Sequence, residues 1–142
     1  MTHHIRHLQI AEIDLFLELY QNIFPSKNIS KANVQSIFNT EPAEVWVCDD
    51  AAFLYFWRVP DGFEVIDLGV HPDFRRHGLG EELMQQLLNK AQNENAKVFL
   101  EVAEQNLAAL ALYQKMGFEF LQKRKNYYGQ QQDALVLCWP CV

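Results

Sequence analysis

Three runs of β-branched and aromatic residues, separated only by short turns, restrict what this chain can fold into. The runs are EVWVCD at 44–49, AAFLYFWRV at 51–59 and FEVIDLGV at 63–70. The connection PDG at 60–62 is typical of a turn, because proline fixes φ and glycine accepts a positive φ. The sequence therefore predicts a three-stranded antiparallel meander. Gly69, near its end, indicates a bulge or a close approach of backbone.

Strand and helix patterns flank this meander on both sides. Alternation predicts a first strand at 5–10, and a helix at 11–24 follows and stops at Pro25. The predicted apolar face of that helix consists of Ile13, Phe16, Leu17, Tyr20 and Phe24. The other predicted elements are a helix at 30–39 capped by Ser30, a helix from Leu79, a strand at 97–102, a helix from Asn106 through Met116 with Gly117 at C′, and strands in FEFLQK and ALVLCW.

The order β-α-α-β-β-β-α-β-α-β-β predicts an α/β (α+β) fold with a mixed, mostly antiparallel sheet of about seven strands. With 142 residues, of which 49% are hydrophobic and 21% charged, we expect one globular domain over 1–142. The net charge of -6 argues against a nucleic-acid binder. No apolar run approaches the roughly 20 residues of a membrane span, and the start lacks a signal-peptide pattern. We expect a cytoplasmic protein with no membrane partner, a monomer or weak dimer.

Cysteines and histidines offer two further motifs. Cys138 and Cys141 form the motif CWPC, which is either a redox pair or the end of a final strand. Only Val142 follows, which favours the strand end, because redox motifs of this kind usually open a helix. We expect no disulfide framework. His3, His4 and His7 lack a carboxylate or cysteine partner at a familiar spacing, so we expect no metal.

Residues 71–88, HPDFRRHGLGEELMQQLL, place two arginines and two glycines at the start of an amphipathic helix. Free N–H groups and the helix dipole make such a start an anion site, and glycines let backbone approach the anion closely. A phosphate-binding P-loop is excluded because Glu81 and Glu82 stand where lysine and serine or threonine are needed. Leu83 replaces the third glycine of a dinucleotide fingerprint. A plain turn into a core helix remains the alternative.

The pattern Arg75-x-x-Gly78-x-Gly80 after VIDLGVHPDF resembles the pyrophosphate loop of the GNAT N-acetyltransferase superfamily. The segment LEVAEQNLAALALYQKMGFEFLQKRKNYYGQQQDALVL at 100–137 resembles the RimI-type ribosomal-protein N-terminal (alanine) acetyltransferases. The resemblance covers about 65–139. It implies the GNAT fold, acetyl-CoA as cosubstrate and transfer of acetyl to a protein N-terminal amine. A GNAT enzyme for a small-molecule amine and a non-catalytic acyl-CoA-binding module remain alternatives.

The resemblance also implies residue roles. It matches Glu101 to the general base and Tyr113 to the general acid, although an exposed strand glutamate and a core aromatic are the ordinary explanations of these residues. It matches Tyr127 and Tyr128 to the substrate-binding groove; packing within a hairpin is the alternative. Asn106 would bind the cofactor as well as cap its helix. The cofactor-binding residues so implied are Leu68, Gly69, Val70, Arg75, Arg76, His77, Gly78, Leu79, Gly80, Glu81 and Asn106.

Overall fold

Strands and helices follow one another in the predicted order in the computed structural model, which describes residues 4–39, 43–125 and 132–140. No helix within those ranges has both the length and the apolarity to cross a bilayer. The elements are β1 (Ile5–His7), α1 (Ile13–Ile23), α2 (Lys31–Asn39), β2 (Ala43–Cys48), β3 (Ala52–Val59), β4 (Gly62–Val70), α3 (Leu79–Asn93), β5 (Lys97–Ala103), α4 (Leu107–Lys115), β6 (Glu119–Arg124) and β7 (Ala134–Trp139).

The strands form one seven-stranded sheet in the order β1-β2-β3-β4-β5-β7-β6. Every neighbouring pair is antiparallel except β4 and β5, which run parallel. The predicted meander is therefore confirmed as β2, β3 and β4. A parallel connection needs a dozen or more residues, and the long crossover through α3 between β4 and β5 supplies them.

Two apolar clusters cover the two faces of this sheet. Successive side chains of β3 point to opposite faces of the sheet. Leu54 and Phe56 pack with α3 on one face, and Phe53 and Tyr55 pack with α1 and α2 on the other. The α3 face is closed by the buried residues Leu79, Leu83, Met84, Leu87, Leu88 and Ala91, which share one side of the helix. This packing fixes the start of α3 beside the end of β4.

The N-terminal elements differ from the prediction in two ways. The first strand ends at His7 rather than at residue 10, because Glu12 accepts a hydrogen bond from the Gln9 amide and a 3-10 turn begins at Ile10. In α1 the buried residues are Ile13, Phe16, Leu19 and Ile23. The predicted residues Leu17, Tyr20 and Phe24 are half-buried and pack against this core, but the prediction left out the fully buried Leu19 and Ile23. The helix is rotated so that Tyr20 points toward β4.

Candidate active site

The parallel strands β4 and β5 separate halfway along their length. Their ladder joins residues 62–65 of β4 to residues 97–100 of β5, yet β4 continues to Val70 and β5 to Ala103. Ile66 is skipped in the register with β3, so a bulge lies where the separation begins. We call the space between residues 66–70 and 101–103 the β4–β5 opening. The sheet thus presents a strand edge in its interior, where an extended molecule can pair with backbone.

The hydrogen-bond alternation of the β3–β4 ladder shows which backbone groups face this opening. The His71 amide donates to the Ala51 carbonyl at 2.7 Å, so alternate residues of β4 at Gly69 and Asp67 also bond to β3. The polar groups of Leu68 and Val70 consequently point away from β3, toward the opening. The Leu68 amide there donates to the Asp67 carboxylate at 3.0 Å.

Close packing against Ile23 and Phe53 explains why position 69 is a glycine. A Cβ at this position would lie 2.8 Å from Ile23 Cγ2 and 3.0 Å from Phe53 Cε1. The predicted close approach is therefore confirmed, and its partner is α1. The bulge that the prediction offered as the other explanation is present at Ile66 instead.

The start of α3 lies beside the same end of β4. Gly78 precedes the helix with a φ of 77°, in the left-handed region that favours glycine, and no side chain caps the helix. The first amide to bond back is that of Glu82, to the Gly78 carbonyl at 2.9 Å. The amides of residues 79–81 precede that bond and, as at any helix start, are available to an anion. A cavity of about 480 Å³ adjoins them, lined by Val70, Phe74, Arg75, Arg76, Gly78, Leu79, Gly80, Glu81 and Leu112.

The charges around this cavity are arranged asymmetrically. Arg75, Arg76 and His77 are all exposed, and Arg75 Nε donates to the Val70 carbonyl at 3.2 Å. Glu81, which also lines the cavity, pairs with Lys115 Nζ of α4 at 3.0 Å. Because of that ion pair, the first turn of α3 adds less negative charge to the anion site than its sequence indicates.

Glu101 lies on β5 at the edge of the β4–β5 opening, and its side chain is 18% exposed. Its oxygen Oε1 is 2.8 Å from Arg124 Nη1 of β6. Val98, Leu100 and Val102 of β5 are buried under α3, so alternation places Glu101 on the opposite face, the α1 side of the sheet. Glu104, the next carboxylate along the chain, is exposed and pairs with Lys123.

Tyr113 lies on α4, which begins at Asn106. The Asn106 side chain accepts a hydrogen bond from the Ala109 amide at 3.2 Å, so its capping role is confirmed. Tyr113 packs against the α3-side cluster, with its ring centroid 5.7 Å from that of Phe118. Burial, with a smaller effect from the charge of Asp67, raises the pKa of Tyr113 to about 12. The phenol therefore stays protonated at neutral pH.

Asp67 and Tyr20 also border the site, and the sequence reasoning missed both. The Tyr20 hydroxyl lies 3.4 Å from Asp67 Oδ2. Burial raises the pKa of the Asp67 carboxyl, while Lys27, the Leu68 amide and Tyr20 partly offset this effect. The available signal was a carboxylate in the otherwise apolar run VIDLGV.

Some predicted residues lie outside the described ranges, namely Tyr127, Tyr128, Cys141 and His3. Cys138 is disulfide-bonded, which the sequence analysis did not expect. Among the described residues, no group of three His, Cys, Asp or Glu side chains is placed to hold a metal ion.

A mixed sheet with an interior opening beside a glycine-led helix start is the arrangement of a transferase fold that comparison with known proteins identifies. Residues 13–118 match the acetyltransferase (GNAT) family, and the chain belongs to that family. It is similar to the ribosomal protein bS18-alanine N-acetyltransferase of Escherichia coli strain K12, with 35% identity over 94 residues. That match covers 63% of this chain and spans only 64% of the relative's length.

Solved structures give the same result. The crystal structure of the ribosomal-protein-S18-alanine N-acetyltransferase from Escherichia coli superposes with a TM-score of 0.83 at 25% identity, covering 96% of this chain and 92% of that one. Arabidopsis thaliana NAA60 in complex with acetyl-CoA gives a TM-score of 0.80 at 17% identity, covering 97% and 98%. At that identity NAA60 supports the fold alone.

Proposed function

We propose that this protein transfers the acetyl group of acetyl-CoA to a primary amine, specifically the N-terminal α-amine of a protein. The observation that carries the proposal is the β4–β5 opening with the start of α3 beside it. The similarity to the bS18-alanine N-acetyltransferase supports the choice of acceptor.

The residues around the opening fit acetyl-CoA. The amides of residues 79–81 and the exposed Arg75 and Arg76 suit a pyrophosphate, because helix starts and guanidinium groups both bind phosphate oxygens. The Leu68 carbonyl and the Val70 amide, which point away from β3, suit an amide-containing arm that pairs with β4 as an added strand. The Leu68 amide and the Val70 carbonyl already bond to Asp67 and Arg75. Bound acetyl-CoA would supply the activated acetyl thioester.

Two side chains would handle protons. Glu101, on the α1 side, is proposed to accept a proton from the amine, directly or through water. Arg124 pairs with that carboxylate. Tyr113, still protonated at neutral pH, is proposed to donate a proton to the departing thiolate. Holding the reactants together would supply much of the remaining acceleration.

Glu101→Gln tests the base. We expect turnover to fall by about 100-fold to 10,000-fold, the usual contribution of a general base, with little change in acetyl-CoA affinity. Glu104→Gln is the matched control, because Glu104 is an exposed carboxylate whose ion pair among the described residues is with Lys123. Full activity of Glu101→Gln across pH would show that the assignment is wrong.

An acceptor panel tests the reaction itself. Release of the CoA thiol is measured with peptides carrying a free N-terminus, with the same peptides blocked, and with small amines. We expect release only with free peptide N-termini, and a loss of peptide affinity in Tyr127→Ala and Tyr128→Ala. Release with small amines but no peptide would favour a small-molecule acceptor. No release with any amine, alongside normal acetyl-CoA binding, would favour a non-catalytic binding module.

A further inference from the structure

Asp67 is a half-buried carboxylate whose described contacts include no ion pair. Its oxygens accept hydrogen bonds from the Leu68 amide at 3.0 Å and from the Tyr20 hydroxyl at 3.4 Å. Lys27 acts on it electrostatically and lowers its pKa, but burial has the larger effect and raises that pKa. Burial disfavours the charged form of a carboxylate that has no ion pair, which makes Asp67 a candidate for binding a cation.

Asp67 lies next to the strand edge proposed to bind acetyl-CoA and on the sheet face that carries Glu101. Asp67 follows the bulge at Ile66, where β4 leaves β5, and directly precedes Leu68 at the strand edge. Its bond to Tyr20 places the carboxylate on the α1 face of the sheet. Glu101 lies on that same face across the opening.

The surroundings of Asp67 suit an ammonium group. The Tyr20 ring lies 4.9 Å from the Phe24 ring and 5.7 Å from the Phe53 ring, centroid to centroid, which forms an aromatic wall. The Lys27 ammonium already lies 4.5 Å from the centroid of the Phe24 ring. Aromatic faces beside a carboxylate are the usual surroundings of a bound amine cation.

We propose that Asp67, held by Tyr20, binds the ammonium form of the acceptor amine and positions it at the β4–β5 opening, in front of Glu101. This rests on the proposed function and adds a residue that determines acceptor binding. The ammonium is shared by a protein N-terminus and a small amine, so the inference holds for either acceptor.

Asp67→Asn tests the inference, because the amide oxygen can still accept from the Leu68 amide and the NH2 group, in place of Oδ2, can donate to the Tyr20 hydroxyl, while the charge is lost. We expect the KM for the acceptor to rise about tenfold to a hundredfold, the range of a charge-assisted hydrogen bond, with the KM for acetyl-CoA unchanged. We also expect the variant to be more stable than wild type at neutral pH, because the pKa of Asp67 is raised by burial and its charge disfavours the folded state. A purely structural role predicts the opposite stability change.

Controls make the outcomes separable. Asp61→Asn changes an exposed aspartate in the β3–β4 turn and should leave both KM values unchanged. Tyr20→Phe should raise the acceptor KM by less than Asp67→Asn does, since only the hydroxyl is removed. The described groups that interact electrostatically with Asp67 are Tyr20 of α1, Lys27 after it, Tyr55 of β3 and Tyr113 of α4.

An unchanged acceptor KM in Asp67→Asn, with an active wild type, overturns this inference and leaves the proposed function standing. A wild type that releases no CoA thiol with any amine overturns the proposed function, and this inference falls with it.

Discussion

Gly80→Val tests the anion site at the start of α3. Gly80 is the second residue of the helix, and a Cβ there would lie 3.4 Å from Val70 Cγ2 and 4.0 Å from Leu68 Cδ2. Alanine therefore fits at ordinary contact distance. The two further methyl groups of valine have to enter the space between α3 and the edge of β4, where the pyrophosphate is proposed to bind.

The expected effect follows from the hydrogen bonds that valine would obstruct. A hydrogen bond from an amide to a charged group contributes about 1.5–3 kcal/mol, and each 1.4 kcal/mol is about tenfold in Kd. Obstructing one such bond should weaken acetyl-CoA binding by about tenfold to a hundredfold. Gly80→Ala should bind nearly as wild type, and replacing glycine in a helix should stabilise the fold by up to about 1 kcal/mol.

Isothermal titration calorimetry with acetyl-CoA and with pantetheine, which lacks the pyrophosphate, is the appropriate assay. Overpacking alone can destabilise a core by about 1–3 kcal/mol, so denaturant unfolding of both variants must accompany the titrations. Only acetyl-CoA should lose affinity. Unchanged acetyl-CoA affinity in a folded Gly80→Val protein would refute the site, and an equal loss for pantetheine would place the defect elsewhere.

Three other predictions concern the same elements. Gly78→Ala should destabilise the fold by about 1–2 kcal/mol in denaturant unfolding, because its φ of 77° is left-handed, and an unchanged midpoint would contradict this. Lys115→Gln should weaken acetyl-CoA binding about twofold to fivefold in calorimetry, because it leaves Glu81 without its partner. Lys90→Gln, which breaks the pair with Glu94 at the other end of α3, should have no effect on that binding. The unfolding free energy should fall as pH rises from 10 to 12, because the folded-state pKa of Tyr113 is raised from 10.0 to about 12. Tyr113→Phe should remove at most about 2–3 kcal/mol of that fall. The same pH dependence in wild type and variant would show that the pKa of Tyr113 is not raised.

The order of elements and the meander could be read from the sequence because each element carries its own signal. Tight turns and β-branched runs define β2, β3 and β4, and the capping residues Ser30 and Asn106 mark where helices begin. The first strand was overextended because alternation alone does not show where a side chain such as Glu12 will turn the chain. The face of α1 was rotated because contact with Gly69, distant in sequence, selects Ile23 as a buried residue.

In the candidate site, too, features that are local in sequence could be predicted, and features that depend on distant contacts could not. The glycine loop and the capped α4 are local in sequence, so their residues could be named in advance. The β4–β5 opening could not, because it depends on where a parallel ladder ends. Asp67 was missed because its significance lies in the contact with Tyr20, 47 positions away in sequence. The ion pairs of Glu101 with Arg124 and of Glu81 with Lys115 likewise join separate elements.

The most direct test of the proposed function is tandem mass spectrometry of a peptide that carries both a free N-terminus and an internal lysine, incubated with acetyl-CoA and the wild-type protein. We predict that the acetyl group is found on the N-terminal α-amine, and that product forms about 100-fold to 10,000-fold more slowly in Glu101→Gln but at the wild-type rate in Glu104→Gln. Acetyl found only on the lysine, or no product despite measured acetyl-CoA binding, would contradict it.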